Sequence, residues 1–374
     1  MEHITKFLEC LAPVTVCNLE CEYCYIIQQD RREMKDPQWD YDTATVAKAL
    51  SVERLGGSAY ISICGAGETL VSDQVIELAY LLLKEGHAVN ITTNGTLSKK
   101  FDQIISTFPK ECLERLHFAF SFHYLELKKK NLLNAFFDNI DKIKRAGCSF
   151  VLQLNLYDGY MPYIDEIKKI SVERTGALPQ IALTRKDVNI NGTTEYEIHT
   201  NMGENSYIEA ARKFDSPLFE CTLKNFNVKR KEFCYAGLWS GVLDLKTGDF
   251  RQCYAAKPQN IFKDLSKPIE FKPIGKNCPN RFCINSSHFM SLGVIPEIIM
   301  PSYEALRNRE EAGWYNEKMK SLLSEKLYDN NQQYSFCKKL QVQINAIPLN
   351  IKKILLNLFP NTVKKAVSIL HGKK

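Results

Sequence analysis

The sequence predicts an α/β fold: a partial (β/α)6 TIM-like barrel, then a small cysteine-rich subdomain, then a helical C-terminal tail. Three observations predict it. Between about residues 55 and 190, short apolar runs alternate with amphipathic stretches, the rhythm of strand–helix units that build a parallel sheet with helices outside. From Cys221 to Ser287, cysteines, aromatics and turn residues replace that rhythm and few helical periods survive. From about residue 300, apolar residues recur at helical spacing. The expected division is 1–200 for the barrel, 201–295 for the cysteine-rich subdomain and 296–374 for the extension.

Taken in order, Leu8–Val16 is the first strand candidate. The stretch from Tyr25 to Asp40 is polar and charged and reads as a long loop. Ser58–Cys64, Ala88–Thr93, Leu116–Ser121, Phe150–Leu156 and Gln180–Thr184 are the next five strands. Val75, Leu78, Ala79 and Leu82 share one helix face, and Gly86 supplies a stop signal. Leu132, Leu133, Phe136, Phe137, Ile140 and Ile143 mark a second helix. In such a barrel, chemistry belongs at the C-terminal strand ends.

Composition narrows the function. With 374 residues, 45% hydrophobic and 25% charged, the chain can bury a core without disulfides. It has no run of 18 apolar residues for a membrane span, and its start lacks the basic and apolar regions of a signal peptide. A cytoplasmic location is expected. The net charge of +6 resides in the last 44 residues, which hold eight lysines and no Asp, Glu or Arg. Without them, 41 basic side chains face 43 acidic ones, which argues against a generally basic nucleic-acid binder. Thirteen cysteines in a reducing compartment point to metal or redox chemistry.

Cys17, Cys21 and Cys24 place three thiols within eight residues, directly after the first strand. Iron–sulfur clusters usually take four Cys, so three leave one iron open to a substrate or cofactor. Zinc is the simpler alternative, but its motifs pair CxxC units, and no fourth ligand lies nearby. The CxxxCxxC spacing, with Tyr23 before the last Cys, resembles the signature of the radical S-adenosylmethionine (SAM) superfamily. The resemblance implies that Cys17, Cys21 and Cys24 hold a [4Fe-4S] cluster whose open iron chelates SAM. It further implies that one electron from a donor such as flavodoxin or ferredoxin splits SAM into methionine and a 5′-deoxyadenosyl radical, which abstracts a substrate hydrogen. The cofactors carry that chemistry and the protein positions and excludes.

The strand ends carry the rest of the resemblance. Gly65-Ala66-Gly67-Glu68 is similar to the family's GGE motif, with Ala66 a departure. Small residues allow close backbone approach, and Glu68 would accept hydrogen bonds from the SAM ammonium. Thr93-Asn94-Gly95 resembles the family's TNG turn; Asn94 is either a SAM contact or only a turn former. Ser121 matches a position where relatives place Ser toward SAM, and His123 stands where many carry Asp. Gln153 and Asn155 alternate along the fifth strand and so point the same way, and Asn155 is the better family match. Arg185 would pair with a carboxylate, of a ligand or of the surface.

Cys234, Gly248 and Cys253 follow a C-x13-G-x4-C pattern, and Cys278 and Cys283 follow as C-x4-C. The first element looks like the start of the SPASM or Twitch extension of radical SAM enzymes. One auxiliary [4Fe-4S] cluster on these four is the economical reading, with zinc as the alternative. A full SPASM domain needs more cysteines, and Cys337 is too isolated to serve. Cys221 would either replace one of these ligands or lie as a free thiol in the active site, able to return a hydrogen atom. Cys10, Cys64, Cys112, Cys148 and Cys337 are expected as buried packing residues.

In the tail, Ile351, Ile354, Leu355, Leu358 and Phe359 fall on one helical face beside Lys352 and Lys353. Such a helix either packs on the barrel or lies on the anionic inner face of a membrane. The substrate expected is a small sugar or polyol, oxidised or epimerised in cell-surface polysaccharide synthesis. A ribosomally made peptide is the alternative, and a zinc-dependent structural or nucleic-acid-binding protein is the non-enzyme rival.

Overall fold

The structure, a computed structural model, describes residues 3–346 except 36, 191–192, 255, 279, 281–282 and 284–285. Six strands appear in the expected order: β1 (Lys6–Ala12), β2 (Ala59–Gly65), β3 (Ala88–Thr93), β4 (Leu116–Ser121), β5 (Ser149–Leu156) and β6 (Gln180–Leu183). Each pairs in parallel with the next. Helices make the crossovers. Asp73–Glu85 buries Val75, Leu78, Ala79 and Leu82, as its period predicts, and stops at Gly86 with φ +108°. Leu133–Arg145 buries Phe136, Phe137, Ile140 and Ile143, and the Phe136 ring stacks 5.3 Å from Phe122.

Three features depart from expectation. The first strand ends at Ala12, not Val16, because Pro13 has no N–H for the ladder. The following carbonyls are used elsewhere: those of Val14 and Val16 accept from Gly67 N at 2.7 Å and Glu68 N at 2.8 Å. Second, the stretch after residue 200 holds two helices, Glu204–Arg212 and Pro217–Asn225. Each has nine residues, about two and a half turns, too short to declare a period among scattered cysteines. Tyr207 donates its hydroxyl to Leu156 O at 2.9 Å, and Ser216 Oγ caps the second helix, so both belong to the barrel wall. A single turn, Tyr25–Gln28, also interrupts the expected long loop.

Third, the cysteine-rich stretch shares the barrel's sheet. Beyond the hairpin β7 (Arg185–Ile190) and β8 (Thr193–Ile198) come β9 (Ser240–Asp244), β10 (Asp249–Arg251) and β11 (Gln259–Asn260). β9 runs parallel to β1, and β10 turns back antiparallel on β9, giving the order β11-β10-β9-β1-β2-β3-β4-β5-β6. The boundary expected near residue 200 is therefore not a break in the sheet. Helices Tyr303–Arg307, Glu317–Ser324 and Phe336–Ala346 follow. The basic helix expected from residue 349 lies outside the described residues. No helix among the described residues is long and apolar enough to cross a membrane.

The inner faces of the strands form a lumen in levels set by register. Glu9, Ser62, Asn90 and His117 are successive partners across β1 to β4. Asn90 donates to Ser62 Oγ at 2.8 Å and meets His117 Nδ1 at 2.7 Å. Below, Tyr60, Tyr303 and Arg307 close the floor, with the Arg307 guanidinium 3.7 Å over the Tyr303 ring. Above, Cys64, Thr92, Ser121, Gln153, Asn155 and Ala182 are half-buried, so the lumen opens toward the C-terminal strand ends.

His117 gives this core a pH signature. Burial, and then the Arg307 charge, lower its pKa to about 3. The folded state thus favours the neutral ring, while the unfolded chain binds a proton below pH 6.5. Stability is full above pH 6.5 and falls as pH drops toward 3. By pH 5 the loss is about 2 kcal/mol. Urea unfolding of His117→Gln should show a drop between pH 7 and 5 smaller than wild type by about that amount; an unchanged drop would contradict it.

Candidate active site

Cys17, Cys21 and Cys24 lie on the loop leaving β1, at the open end of the lumen. Cys21 is buried and the others half-buried. Burial first, and then the neighbouring Cys17 and Cys24, push the Cys21 thiol far above its usual range. The three thiols therefore lie within electrostatic reach of one another. Burial also raises Cys17, opposed by hydrogen bonds from Leu19 N–H and from Asn94, whose Nδ2 stands 3.8 Å from the sulfur. Donors aimed at sulfur stabilise thiolate and tune iron–sulfur centres.

The Gly65–Glu68 turn packs against the chain that enters this loop. A Cβ on Gly67 would sit 2.1 Å from Val16 O and 2.6 Å from Thr15 C, so only glycine fits. Gly65 is looser, with Val14 Cβ at 3.0 Å. Glu68 is 1% exposed. Its Oε1 accepts from Thr93 Oγ1 at 2.6 Å and Leu70 N at 3.0 Å, and its Oε2 from Asn94 N at 2.6 Å. The carboxyl was expected to spend its oxygens on a ligand ammonium; instead it first braces the end of β2 to the end of β3. A carboxylate offers about four lone-pair sites, so acceptor capacity is left over.

Asn94 is an anchor more than a turn former. Its amide donates to Asn18 Oδ1 at 2.8 Å and its Oδ1 accepts from Thr96 Oγ1 at 2.7 Å, while Asn18 donates to Thr96 Oγ1 at 2.8 Å. This closed ring holds the residue after Cys17. Gly95 follows with φ +72°, pressed against Phe120 and Phe136.

Tyr23 is 7% exposed, with its hydroxyl 2.6 Å from His123 Nδ1 and 3.0 Å from Tyr160 OH. Its ring lies 4.5 Å from that of Tyr157. Burial lowers His123 to about 4, so the imidazole is neutral at pH 7 and exchanges one hydrogen bond with Tyr23. Tyr157 and Tyr160 escape sequence reasoning, because no spacing connects them to the cysteines. Ser121 and Gln153 are register partners at the lumen mouth, with Asn155 two residues on. Arg185, at the start of β7, lies 5.1 Å over the Tyr196 ring.

The second thiol group also assembles. Cys234 forms a backbone bridge with Gly275 ahead of β9, and Cys253 follows β10. Gly248 makes the turn between β9 and β10 at φ +80°, accounting for the glycine in the spacing. Burial, and then Cys283, Cys234 and Cys278, hold the Cys253 thiol well above its usual range. Cys234 is pushed up to about 12 by burial and then by Cys283 and Cys278. The N–H groups of Ala236 and Tyr254 bond the Cys234 and Cys253 sulfurs. Among the described residues, no three His, Cys, Asp or Glu side chains converge tightly enough to hold one metal ion. A cluster gives each thiolate its own iron and so needs its ligands wider apart than zinc does. Seven thiols in two groups, with N–H donors at sulfur, fit iron–sulfur ligation.

Three other cysteines differ from expectation. Cys221 lies on helix Pro217–Asn225, and its charged neighbours are Arg307, Lys326 and Lys224, not residues of the lumen mouth. Cys64 is half-buried at the lumen mouth and Cys337 is exposed, because neither strand end nor helix face closes over them. Cys10, Cys112 and Cys148 are buried.

Comparisons with known proteins bear on this arrangement. Residues 11–169 match the model of the Radical SAM superfamily. A 7-carboxy-7-deazaguanine synthase from Methanospirillum hungatei is 33% identical over 90 residues, covering 24% of this chain and 34% of that protein. The chain thus matches only about a third of this curated relative's length. The structure of Streptococcus suis SuiB bound to S-adenosylmethionine is 14% identical with TM-score 0.49, covering 70% of this chain and 64% of that one. Native anSMEcpe with bound AdoMet is 14% identical with TM-score 0.42, covering 70% of this chain and 80% of that one. The three-cysteine loop at the open end of the parallel barrel thus lies within residues 11–169, the part of the chain that matches the radical SAM superfamily, from that loop's strand through β5.

Proposed function

We propose that this chain is a radical SAM oxidoreductase with a second [4Fe-4S] cluster, and that it oxidises a hydroxylated carbon of a sugar- or polyol-type substrate. The match of residues 11–169 to the superfamily supports an enzyme with a [4Fe-4S] cluster and SAM. When bound, these supply a 5′-deoxyadenosyl radical, given an electron from a flavodoxin or ferredoxin. The observation that supports the oxidative reading is that Cys234 and Cys253 both lie within electrostatic reach of Cys278 and Cys283. Cys234, Cys253, Cys278 and Cys283 would hold a cluster able to accept the electron that a net oxidation must shed; the substrate would lose one hydrogen atom to the adenosyl radical, one proton to a base or solvent, and one electron to that acceptor. Tyr254, next to Cys253, carries a hydrogen bond to Glu9 and sits near Cys64, so this thiol group backs onto the lumen. The lumen mouth offers neutral hydroxyl and amide groups, Thr92, Ser121, Gln153 and Asn155, which suit a polyhydroxylated ligand.

Epimerisation is the second reading, and one observation favours it: the Cys64 thiol is half-buried at the lumen mouth, where a returned hydrogen atom would be needed. The product separates the two. Oxidation removes two hydrogens; epimerisation in deuterated water adds one solvent deuterium. Metal content tests the second site itself. Anaerobically reconstituted protein should hold about eight irons, and Cys253→Ala about four; stoichiometric zinc without iron would reject the reading.

A further inference from the structure

Tyr23 stands between Cys21 and Cys24, and its side chain is fastened to the ends of two other strands. His123 follows the end of β4, and its Nδ1 lies 2.6 Å from the Tyr23 hydroxyl. Tyr160 sits in the short helix Asp158–Tyr163 after β5, and its hydroxyl is 3.0 Å from the same oxygen. The Tyr160 oxygen accepts in turn from the Leu125 N–H. The Tyr157 ring fills the corner, 4.5 Å from the rings of both Tyr23 and Tyr160. Tyr23 and Tyr160 are both buried. Polar groups from three elements are thus joined in one chain of bonds.

That chain reaches sulfur. Burial chiefly, and then Cys17 and Cys24, raise the Cys21 thiol, and a hydrogen bond with the Tyr23 side chain opposes them. A phenol keeps its proton at neutral pH, so Tyr23 is the partner able to donate to a cysteine sulfur. For its proton to point there, its neighbours must donate to the phenol oxygen: Nδ1–H of the neutral His123, and the Tyr160 hydroxyl. Tyr160 can do so because its own oxygen already accepts from Leu125. Donors in series strengthen one another.

We propose that His123 and Tyr160 are positioning residues of the cysteine loop: they turn the Tyr23 hydroxyl onto the Cys21 sulfur, and so set the reduction potential of the cluster that Cys17, Cys21 and Cys24 would carry. This rests on the reading of that loop as an iron–sulfur site. Hydrogen bonds to sulfur are among the influences that fix a cluster's potential. Reduction adds negative charge, so a donor at a ligand sulfur favours the reduced form and raises the potential.

The test is an anaerobic redox titration of the reconstituted full chain, followed by electron paramagnetic resonance. The signal that changes when SAM is added identifies the first cluster and separates it from the second; the titrations themselves are run without SAM. At the wild-type midpoint, Tyr23→Phe keeps the ring and removes the donor. It should lower the reduced-to-oxidised ratio about tenfold, the worth of one hydrogen bond and about 59 mV for one electron. His123→Leu should shift the potential in the same direction. Tyr23→Phe combined with His123→Leu should shift it no further than Tyr23→Phe alone, because His123 acts through the phenol. His123→Gln, which still offers a donor, should recover part of the shift. A merely packing role for these side chains would move stability or iron content and leave the potential of the loaded cluster unchanged. If His123→Leu fails to fold or to load iron, Tyr160→Phe decides by the same measure. Folded, iron-replete Tyr23→Phe and His123→Leu with the wild-type potential overturn this assignment alone, as does a double variant whose shift is the sum of the two single ones. Wild-type protein that assembles no SAM-responsive cluster overturns the reading of the loop, and this assignment with it.

Discussion

Cys21→Ala should abolish 5′-deoxyadenosine formation, by at least about 10³-fold, while leaving the fold in place. The two halves of that expectation have separate physical causes. Cys21 is the most buried of the three thiols, and both of the others act on it; on the proposed ligation its removal would leave two ligands, too few to hold the SAM-binding cluster. The packing loss is one sulfur at a loop, about 1 kcal/mol. The checks are iron content, which should fall by about four per chain, far-UV circular dichroism, which should not change, and chromatography of the anaerobic reaction for 5′-deoxyadenosine. Full SAM cleavage by folded Cys21→Ala would remove this loop from the mechanism.

Gly67→Ala should be nearly as damaging by a different route. Its new Cβ would meet backbone atoms, Val16 O at 2.1 Å and Thr15 C at 2.6 Å, which cannot rotate away. Relief requires moving the chain just before Cys17, and with it the bonds from Gly67 N and Glu68 N. We expect a loss of about 3 kcal/mol or more in urea unfolding, with reduced iron loading at the first site. Gly65→Ala is the internal comparison: its contacts are Val14 Cβ at 3.0 Å and Val14 O at 3.1 Å, which need give only a few tenths of an ångström, so about 1 kcal/mol is expected. Equal behaviour of the two variants would mean that the close approach at residue 67 does not govern the loop.

Much of the barrel was legible because its signals are local. β3 and β4 begin and end where their apolar runs do, since Gly86 and the polar ends of both runs punctuate them. The cysteine loop was legible because ligand chemistry demands several thiols of one type at close spacing. What was not legible depends on contacts distant in sequence. Glu68 reads only as a ligand contact, because its bonds to Thr93 and Asn94 cross 25 and 26 residues. Tyr157 and Tyr160 meet Tyr23 across more than 130 residues. Glu9 looks like noise in an apolar strand, because its partners lie at 254 and 288. The two helices after residue 200 were hidden by brevity, and the sheet's continuity through β9 by the long excursion that separates it from β1.

That excursion bears on how the protein is made. The strand pairing of β1 with β9 joins Phe7–Leu11 to Ser240–Asp244. A ribosome must therefore deliver some 240 residues before the first strand gains its second neighbour. Until then β1 is an open edge, apolar and already carrying the nascent cysteine loop, and open apolar edges recruit other chains. Pairings so distant in sequence also form slowly. Chains that stall or are cut before residue 244 should thus leave the cell's soluble fraction, and the late-arriving hairpin is as much a guard for the first strand as a carrier of thiols.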